Sequence, residues 1–357
     1  MNLINVDYIN WQDKNTTQEF CQSKTIKKYI LGINKFTKSV LKHIDVDGVI
    51  DDFTRVQSSR KKEILNIHDI DAHNCIILWV STGSPLEVKN RLDEMGFSHI
   101  SYLAFYKYSG LDLIDPPFIM DFKNDFLSHQ NEYQWIYDKL EDTDSKEVFQ
   151  KVINFKISFD YAFMQGFTNN HKEQYFDKQL IHHKKNIVFV DGGGYVGDTL
   201  PQIIENFPDF KRIYLIEPNE LHINIAKRDF GNDDNITFIH CGLGNRVQTA
   251  DETTNLQNNC DHHYQALSIN TIDNLIDEKI DFIKLDIEGA EQDALEGARE
   301  TIKNDHPILA ICIYHKAQDW YKIPQKVLAI NPNYRLYLRH YMEGIFETVL
   351  YFIPYDA

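Results

Sequence analysis

The stretch Asn186-Ile-Val-Phe-Val-Asp-Gly-Gly-Gly-Tyr-Val-Gly-Asp198 decides how this chain is read. Ile187 to Val190 are apolar without interruption, which fits a strand covered on both faces, as in a parallel sheet. Gly192, Gly194 and Gly197 form a G-x-G-x-x-G. Glycines at that spacing permit a tight turn and a close approach of ligand to backbone, and they open a helix predicted from about Tyr195. Alone, such a turn is common to several nucleotide and nucleoside sites.

Two acids narrow the choice. Asp191 ends the strand just before the first glycine. A dinucleotide would bring its pyrophosphate near this turn, where a carboxylate repels it. S-adenosylmethionine (SAM) carries no phosphate; its ammonium and sulfonium suit an acid. The next apolar run, Ile213-Tyr-Leu-Ile216, ends in Glu217. An acid there, roughly 20 residues past the turn, is placed to bind both ribose hydroxyls. The plainer alternative is a glycine-rich βα turn with two solvated acids.

Composition sets outer limits. The 357 residues are enough for two domains. A formal net charge of −16 argues against a general nucleic-acid binder, which needs a basic face. Cys21, Cys75, Cys241, Cys260 and Cys312 form no C-x-x-C, so reduced thiols and a cytoplasmic location are expected. No signal-peptide pattern is seen, and no apolar run of about 18 residues predicts a spanning helix.

Upstream of the glycine turn, residues 1–110 carry a first α/β pattern. Strands are expected at Tyr29–Gly32, Val46–Ile50, Cys75–Val80 and Ile100–Phe105, and a helix over Phe36–His43. Another helix is expected after Ser84-Pro85 and should stop at Gly96. Asn34 and Lys35 stand where further glycines would be, so this reads as a degenerate Rossmann-like domain. It either binds a nucleotide or sugar nucleotide, or is a scaffold. Residues 111–180 are rich in aromatics and read as a helical connector, with Asp144-Ser145 capping a helix over Lys146–Ile157. Gln174-Tyr-Phe-Asp177 lies close enough to the central strand for Tyr175 to reach a ligand.

Residues 181–357 complete the second α/β pattern. Ile236–Ile239 is a strand leading to Cys241 and Gly242, on the side where an adenine would lie. His262-His263 are adjacent, point apart on any regular element, and make a poor metal pair. The strand Asp281-Phe-Ile-Lys-Leu-Asp286 ends in Asp286-Ile-Glu-Gly-Ala-Glu291, which gathers Asp286 and Glu288 at a strand's carboxyl end, where open sheets bind ligands. Glu291 is equally suited to the first turn of the next helix. Pro307–Tyr314 is a buried strand ending in His315-Lys316; His315 is a candidate general base, or a histidine that merely caps the strand. Tyr334–Tyr341 and Glu347–Phe352 read as a closing antiparallel pair, with Arg339 and His340 facing the substrate.

The succession Phe-Val-Asp-Gly-Gly-Gly-Tyr-Val-Gly-Asp-Thr199, Ile-Glu-Pro-Asn219, Ile-Lys-Leu-Asp-Ile-Glu-Gly-Ala-Glu291 and Tyr-His-Lys316 resembles the FkbM family of SAM-dependent methyltransferases. The resemblance covers roughly residues 170–357. More weakly, residues 31–96 are similar to the Rossmann-like domain ahead of some bacterial members. It implies a seven-stranded class I methyltransferase fold. It also implies SAM contacts from Asp191, the turn residues Gly192, Gly193, Gly194, Tyr195, Gly197, Asp198 and Thr199, and Glu217 with Pro218 and Asn219; position alone adds Tyr175, Cys241, Gly242 and Asp286 to the candidates. Asp286 and Glu288 carry over as acids at the cofactor–substrate junction; beside the resemblance, strand-end position makes His315, Asp286 and Glu288 the catalytic candidates, and Glu288, Lys316, Arg339 and His340 the substrate-binding candidates. The implied acceptor is a hydroxyl, often on a sugar of a surface polysaccharide, glycolipid or antibiotic. Many members have an acid before the histidine; here Ile313 and Tyr314 replace that pattern, so the resemblance transfers no base assignment to His315. Room remains for a divalent metal on Asp286 and Glu288, for N- or C-methylation, for homo-oligomers, for a nicotinamide oxidoreductase, and for a binding protein with an inert second half.

Overall fold

A computed structural model of the chain describes residues 1–52, 58–59, 62–249 and 268–355. Cys260 and His262-His263 lie outside these. The chain divides into two compact units, one of residues 1–127, 150–169 and 342–345, the other of residues 128–149, 170–341 and 346–357.

The first unit is built on a six-stranded sheet. Its strands are β1 (Lys27–Leu31), β2 (Gly48–Ile50), β3 (Ser58–Ser59), β4 (Lys62–Leu65), β5 (Cys75–Trp79) and β6 (Ser98–Ser101), in the order β3-β4-β2-β1-β5-β6. All pairs but β3–β4 are parallel. Ile30, Val40, Ile76, Leu78 and Ile100 bury against Phe20 and Phe105, whose rings meet edge to face at 5.5 Å.

Two local expectations change here. The strand expected over Ile100–Phe105 stops at Ser101, and a helix, Tyr102–Ser109, follows. Ser101 is the cause: its side chain accepts from Ala104 N, and Gly110 ends the helix in the left-handed region. Ser84 does precede the helix Pro85–Glu94, but its side chain does not cap it. Glu343 does so instead, its Oε2 accepting from Leu86 N at 2.9 Å and Glu87 N at 3.1 Å.

The second unit holds a seven-stranded sheet in the order β14-β15-β13-β12-β7-β8-β9. These strands are β7 (Val188–Gly192), β8 (Arg212–Ile216), β9 (Ile236–Ile239), β12 (Phe282–Leu285), β13 (Ile308–Cys312), β14 (Tyr334–His340) and β15 (Thr348–Pro354). A short parallel pair, β10 (Gly242–Leu243) and β11 (Ile269–Asn270), stands apart from it. The first five strands named run parallel; β15 is antiparallel to β13 and β14. The sheet is thus the expected Rossmann-like, seven-stranded α/β architecture with its glycine-turn strand central. Phe189 and Phe282, neighbours in register on β7 and β12, stack at 4.6 Å and bury fully.

One helix, with residues in both units, starts where the sequence misled. The helix Thr143–Ser158 is capped by Asp142, whose Oδ1 accepts from Ser145 N at 2.7 Å, one turn before the predicted cap. Among the described residues no helix is long and apolar enough to cross a membrane. The four described cysteines are free.

Candidate active site

The carboxyl ends of β7, β8 and β12 surround a cavity of about 640 Å³. Local sequence dictates why it opens there. Gly193 has φ +77°, and a Cβ on it would stand 1.9 Å from Asp286 O. A Cβ on Gly194 would strike Leu215 at 2.2 Å. These glycines therefore let the turn pack against the protein's own chain, rather than against a ligand. The helix expected from Tyr195 begins at Leu200, because residues 193–199 are spent on the turn.

Of the residues singled out from sequence, Tyr175, Gly193, Tyr195, Asp198, Thr199, Glu217, Pro218, Cys241, Gly242, Asp286 and Glu288 line this cavity. Glu217 closes the turn: Oε2 accepts from Tyr195 N at 3.0 Å and Oε1 from Asn219 N at 2.8 Å. A carboxylate oxygen has further lone pairs, so these bonds fix Glu217 without exhausting it. Cys241 and Gly242 join Ile216, Leu243 and Ile269 in an apolar recess. Burial pushes the Cys241 thiol up to about 11, so it stays protonated there.

Asp286 is the centre of the opposite end. Its Oδ2 accepts from Tyr175 OH at 3.0 Å, and its Oδ1 from Tyr314 OH at 3.1 Å. Burial first, then neighbouring groups including Asp286, hold both phenols well above their usual range, so both remain donors. Glu347 lies on the same wall, with a carboxylate oxygen within 4.8 Å of ligand atoms of Asp286 and Cys312. Gln174 Nε2 donates to Glu347 Oε2, and to Tyr175 OH at 2.9 Å. Burial, and after it the charge of Asp286, push the Glu347 carboxyl up to about 7.

Backbone strain collects here as well. Tyr175, Tyr195, Glu288 and Glu347 have φ of +70°, +42°, +56° and +64°, and all four line the cavity. Such conformations cost about 1–3 kcal/mol each and persist where the surroundings over-determine them, which is typical of working sites.

The remaining candidates are placed elsewhere, each for a local reason. Asp191 is fully buried behind the wall, its Oδ1 2.8 Å from Lys284 Nζ. Lys284 Nζ also donates to Gly193 O at 2.9 Å, so Asp191 steadies the turn through the lysine rather than by touching a ligand. Burial works against the charge on Lys284, but Asp191 and then Asp286 outweigh it, and its pKa is raised. Gly192 and Gly194 are packed within the turn, Gly197 binds Gly194 O, and Asn219 caps the helix Glu220–Phe230.

His315 is also off the wall, its side chain 1% exposed. Its Nε2 lies 3.4 Å from Asp286 Oδ1, and its Nδ1 3.1 Å from Glu291 Oε1. The carboxylate partner that its sequence neighbours withhold thus comes from Glu291, in the first turn of the helix Glu291–Glu296. Burial would lower the imidazole's pKa, but the bond to Glu291 and nearby acids raise it. His315 therefore backs Asp286 and does not reach the cavity itself. Lys316 Nζ donates to Gly289 O. Arg339 is buried between Asp177 and Asp142, at 2.7 and 2.8 Å, and His340 Nδ1 meets Thr348 Oγ1 at 2.9 Å. None of these three lines the cavity.

Lys284 and Glu347 escaped the sequence reading, as did His171 and His222, which also line the cavity. A lysine inside the apolar run Phe282–Leu285 was a signal: buried, it must find an acid, and Asp191 is its register partner on β7. Glu347 follows a turn and gives no such sign. Two ligand-like groups occur among the described residues, Asp286 with Cys312 and Glu347, and Asp286 with Glu291 and His315.

Comparison with known proteins bears on the fold that carries this cavity. Residues 189–341 match the family model described as the methyltransferase FkbM domain. A crystal structure of a methyltransferase FkbM from Methylobacillus flagellatus KT is similar over 96% of this chain and 94% of that one, with a TM-score of 0.77 and 23% identity. At that identity the likeness speaks for the fold. An rRNA methylase from Streptococcus thermophilus covers 52% of this chain and 94% of its own, with a TM-score of 0.34 and 15% identity. Aeropyrum pernix fibrillarin, solved with natively bound SAM, covers 48% and 67%, with a TM-score of 0.31 and 14% identity. Neither of these bears on the site. No curated protein matches the sequence.

Proposed function

We propose that the chain, whose residues 189–341 match the methyltransferase FkbM domain, moves a methyl group from SAM to a hydroxyl oxygen, with a sugar-like polyol as the acceptor class. The carrying observation is Asp286, held by two tyrosine hydroxyls beside a second carboxyl, Glu347, on the wall of one cavity. When bound, SAM supplies an electrophilic methyl carbon on a sulfonium that leaves as a neutral thioether.

The residues suit that cofactor. Glu217 faces the ribose diol, the recess at Cys241 and Gly242 takes the adenine, and Asp198 and Asp286 offer the negative charge that an ammonium and a sulfonium need. Tyr175 and Tyr314, kept protonated, fix Asp286 from both of its oxygens, and His315 with Glu291 supports it from behind. Glu347 takes the acceptor's proton: a base whose pKa lies near the working pH is the most effective, and Glu347 sits at about 7. The acceptor oxygen then attacks along the line of the breaking carbon–sulfur bond, which requires alignment more than chemistry from the protein. A divalent ion on Asp286 would compete with both tyrosine hydroxyls, so we propose proton transfer without one.

The test is a screen of sugar and glycoside acceptors with methyl-labelled SAM, followed by Glu347→Gln on the best acceptor. Label in a methyl ether, with the variant keeping SAM affinity but losing roughly 100-fold or more in kcat, supports the reading. Label on nitrogen or carbon would replace it with another methyl transfer.

A further inference from the structure

At the other end of the second sheet, by the amino ends of its parallel strands, lies a second cavity of about 740 Å³. Its floor is apolar, with Ile187, Phe207, Phe282 and Ile308. Its rim carries Lys184, Lys279 and Arg335 with His182, His183 and His306, in a chain whose net charge is −16; Lys184 pairs with Asp281, which leaves Lys279 and Arg335 as the rim's unpaired cations among the described residues. Two acids also line it, and both are already engaged. Asp281 accepts from Val188 N at 3.0 Å and from Lys184 Nζ at 2.8 Å. Asp305 accepts from Ile280 N at 2.9 Å.

Arg335 is the informative residue. Its guanidinium donates to Pro354 O at 3.2 Å and lies 5.7 Å from the Tyr355 ring centre. Its Nε is buried and has no acceptor among the described residues. Arg91, Arg212, Arg228, Arg299 and Arg339 each meet a carboxylate within ion-pair distance; Arg335, like Arg246, meets none among the described residues. Lys279, on the same rim, meets none either. A planar guanidinium that meets no carboxylate matches phosphate oxygens through paired, charge-assisted bonds.

We propose that this cavity binds a phosphate-bearing small molecule, with the phosphate against Arg335 and Lys279 and its apolar part on the floor around Phe207. His183 Nδ1 is bonded to Asn206 O at 3.2 Å and His306 Nε2 to Lys303 O at 2.9 Å, so both rings stand fixed on the rim. The ligand is distinct from both cofactor and acceptor, because none of these residues lines the cavity at Asp286.

Phenyl phosphate, titrated calorimetrically into the full chain at low salt with phenol as control, tests this. Saturable binding of phenyl phosphate but not phenol is expected. Arg335→Met should weaken it about tenfold or more, with SAM affinity unchanged. Should Arg335→Met fail to fold, exposed Lys279 serves instead: Lys279→Glu should weaken binding at least as much as Lys279→Met. Absence of saturable binding, binding that neither position alters, or displacement of phenyl phosphate by SAM would each overturn the assignment.

Discussion

Both units contain a strand, a glycine turn and a helix at the centre of a sheet, and among the described residues the two turns are finished differently. In the first unit, Gly32 has φ +105°, and the turn is then closed by the chain itself. Asn34 Oδ1 accepts from Phe36 N at 2.8 Å and Thr37 N at 3.3 Å, while Asn34 Nδ2 donates to Val80 O at 2.9 Å. Thr37 Oγ1 completes a capping box and donates to Gly32 O at 2.8 Å. The amides that would meet a phosphate are thus occupied. The cavity beside Phe36 and Val80 holds only about 10 Å³. In the second unit, the turn around Gly193 is held by Ile216 O and Lys284, and acids border about 640 Å³. Glycine spacing makes a turn; the side chains that fill or spare its mouth make the site.

A buried lysine in each unit repeats the contrast. Lys284 is paired with Asp191 and stays charged. Lys156 donates to Phe118 O at 3.0 Å and lies over the Phe122 ring; burial outweighs Asp121 and pushes it down to about 7.

The largest effect should come from breaking the paired lysine. Lys284→Met strands the Asp191 carboxylate inside the sheet and should cost about 3–5 kcal/mol, read by urea unfolding. A loss below roughly 1 kcal/mol would mean that the pair does not hold the turn. Lys156 sharpens the comparison through pH. Its folded pKa lies below its unfolded value of 10.5, so the unfolded chain binds the extra proton between the two. Wild-type stability should therefore fall as pH drops from about 10.5 to about 7 and level off below. Lys156→Met should flatten that slope in a pH series of melting curves; an unchanged slope would refute the assignment. The smallest effect belongs to the plugged turn. Asn34→Ala should lose about 1 kcal/mol for the missing cap and leave SAM affinity untouched. A change in SAM affinity would show that the turn is not inert toward the site.

The fold was legible because buried parallel strands write uninterrupted apolar runs, as in Ile187–Val190 and Ile308–Cys312, and because acids stand just past strand ends at Glu217 and Asp286. What stayed hidden was orientation. Arg339 stands near a strand end, as a substrate contact would, but Asp142 and Asp177, more than 160 positions earlier, turn it into a buried clamp. Asp191 and His315 sit at the right strand ends but point behind the wall, at Lys284 and Glu291. Only register shows that Lys284 and Asp191 are neighbours. Glu347 depends on a strained turn that no periodicity announces.

The central claim is that the cavity at Glu217 and Asp286 is built for a cationic nucleoside and not for a dinucleotide. Calorimetric titration of the full chain with SAM and, separately, with NADH tests it most directly, with Glu217→Ala as control. The account predicts micromolar SAM binding, at least tenfold weaker in the control, and no NADH binding. NADH binding without SAM binding would contradict it.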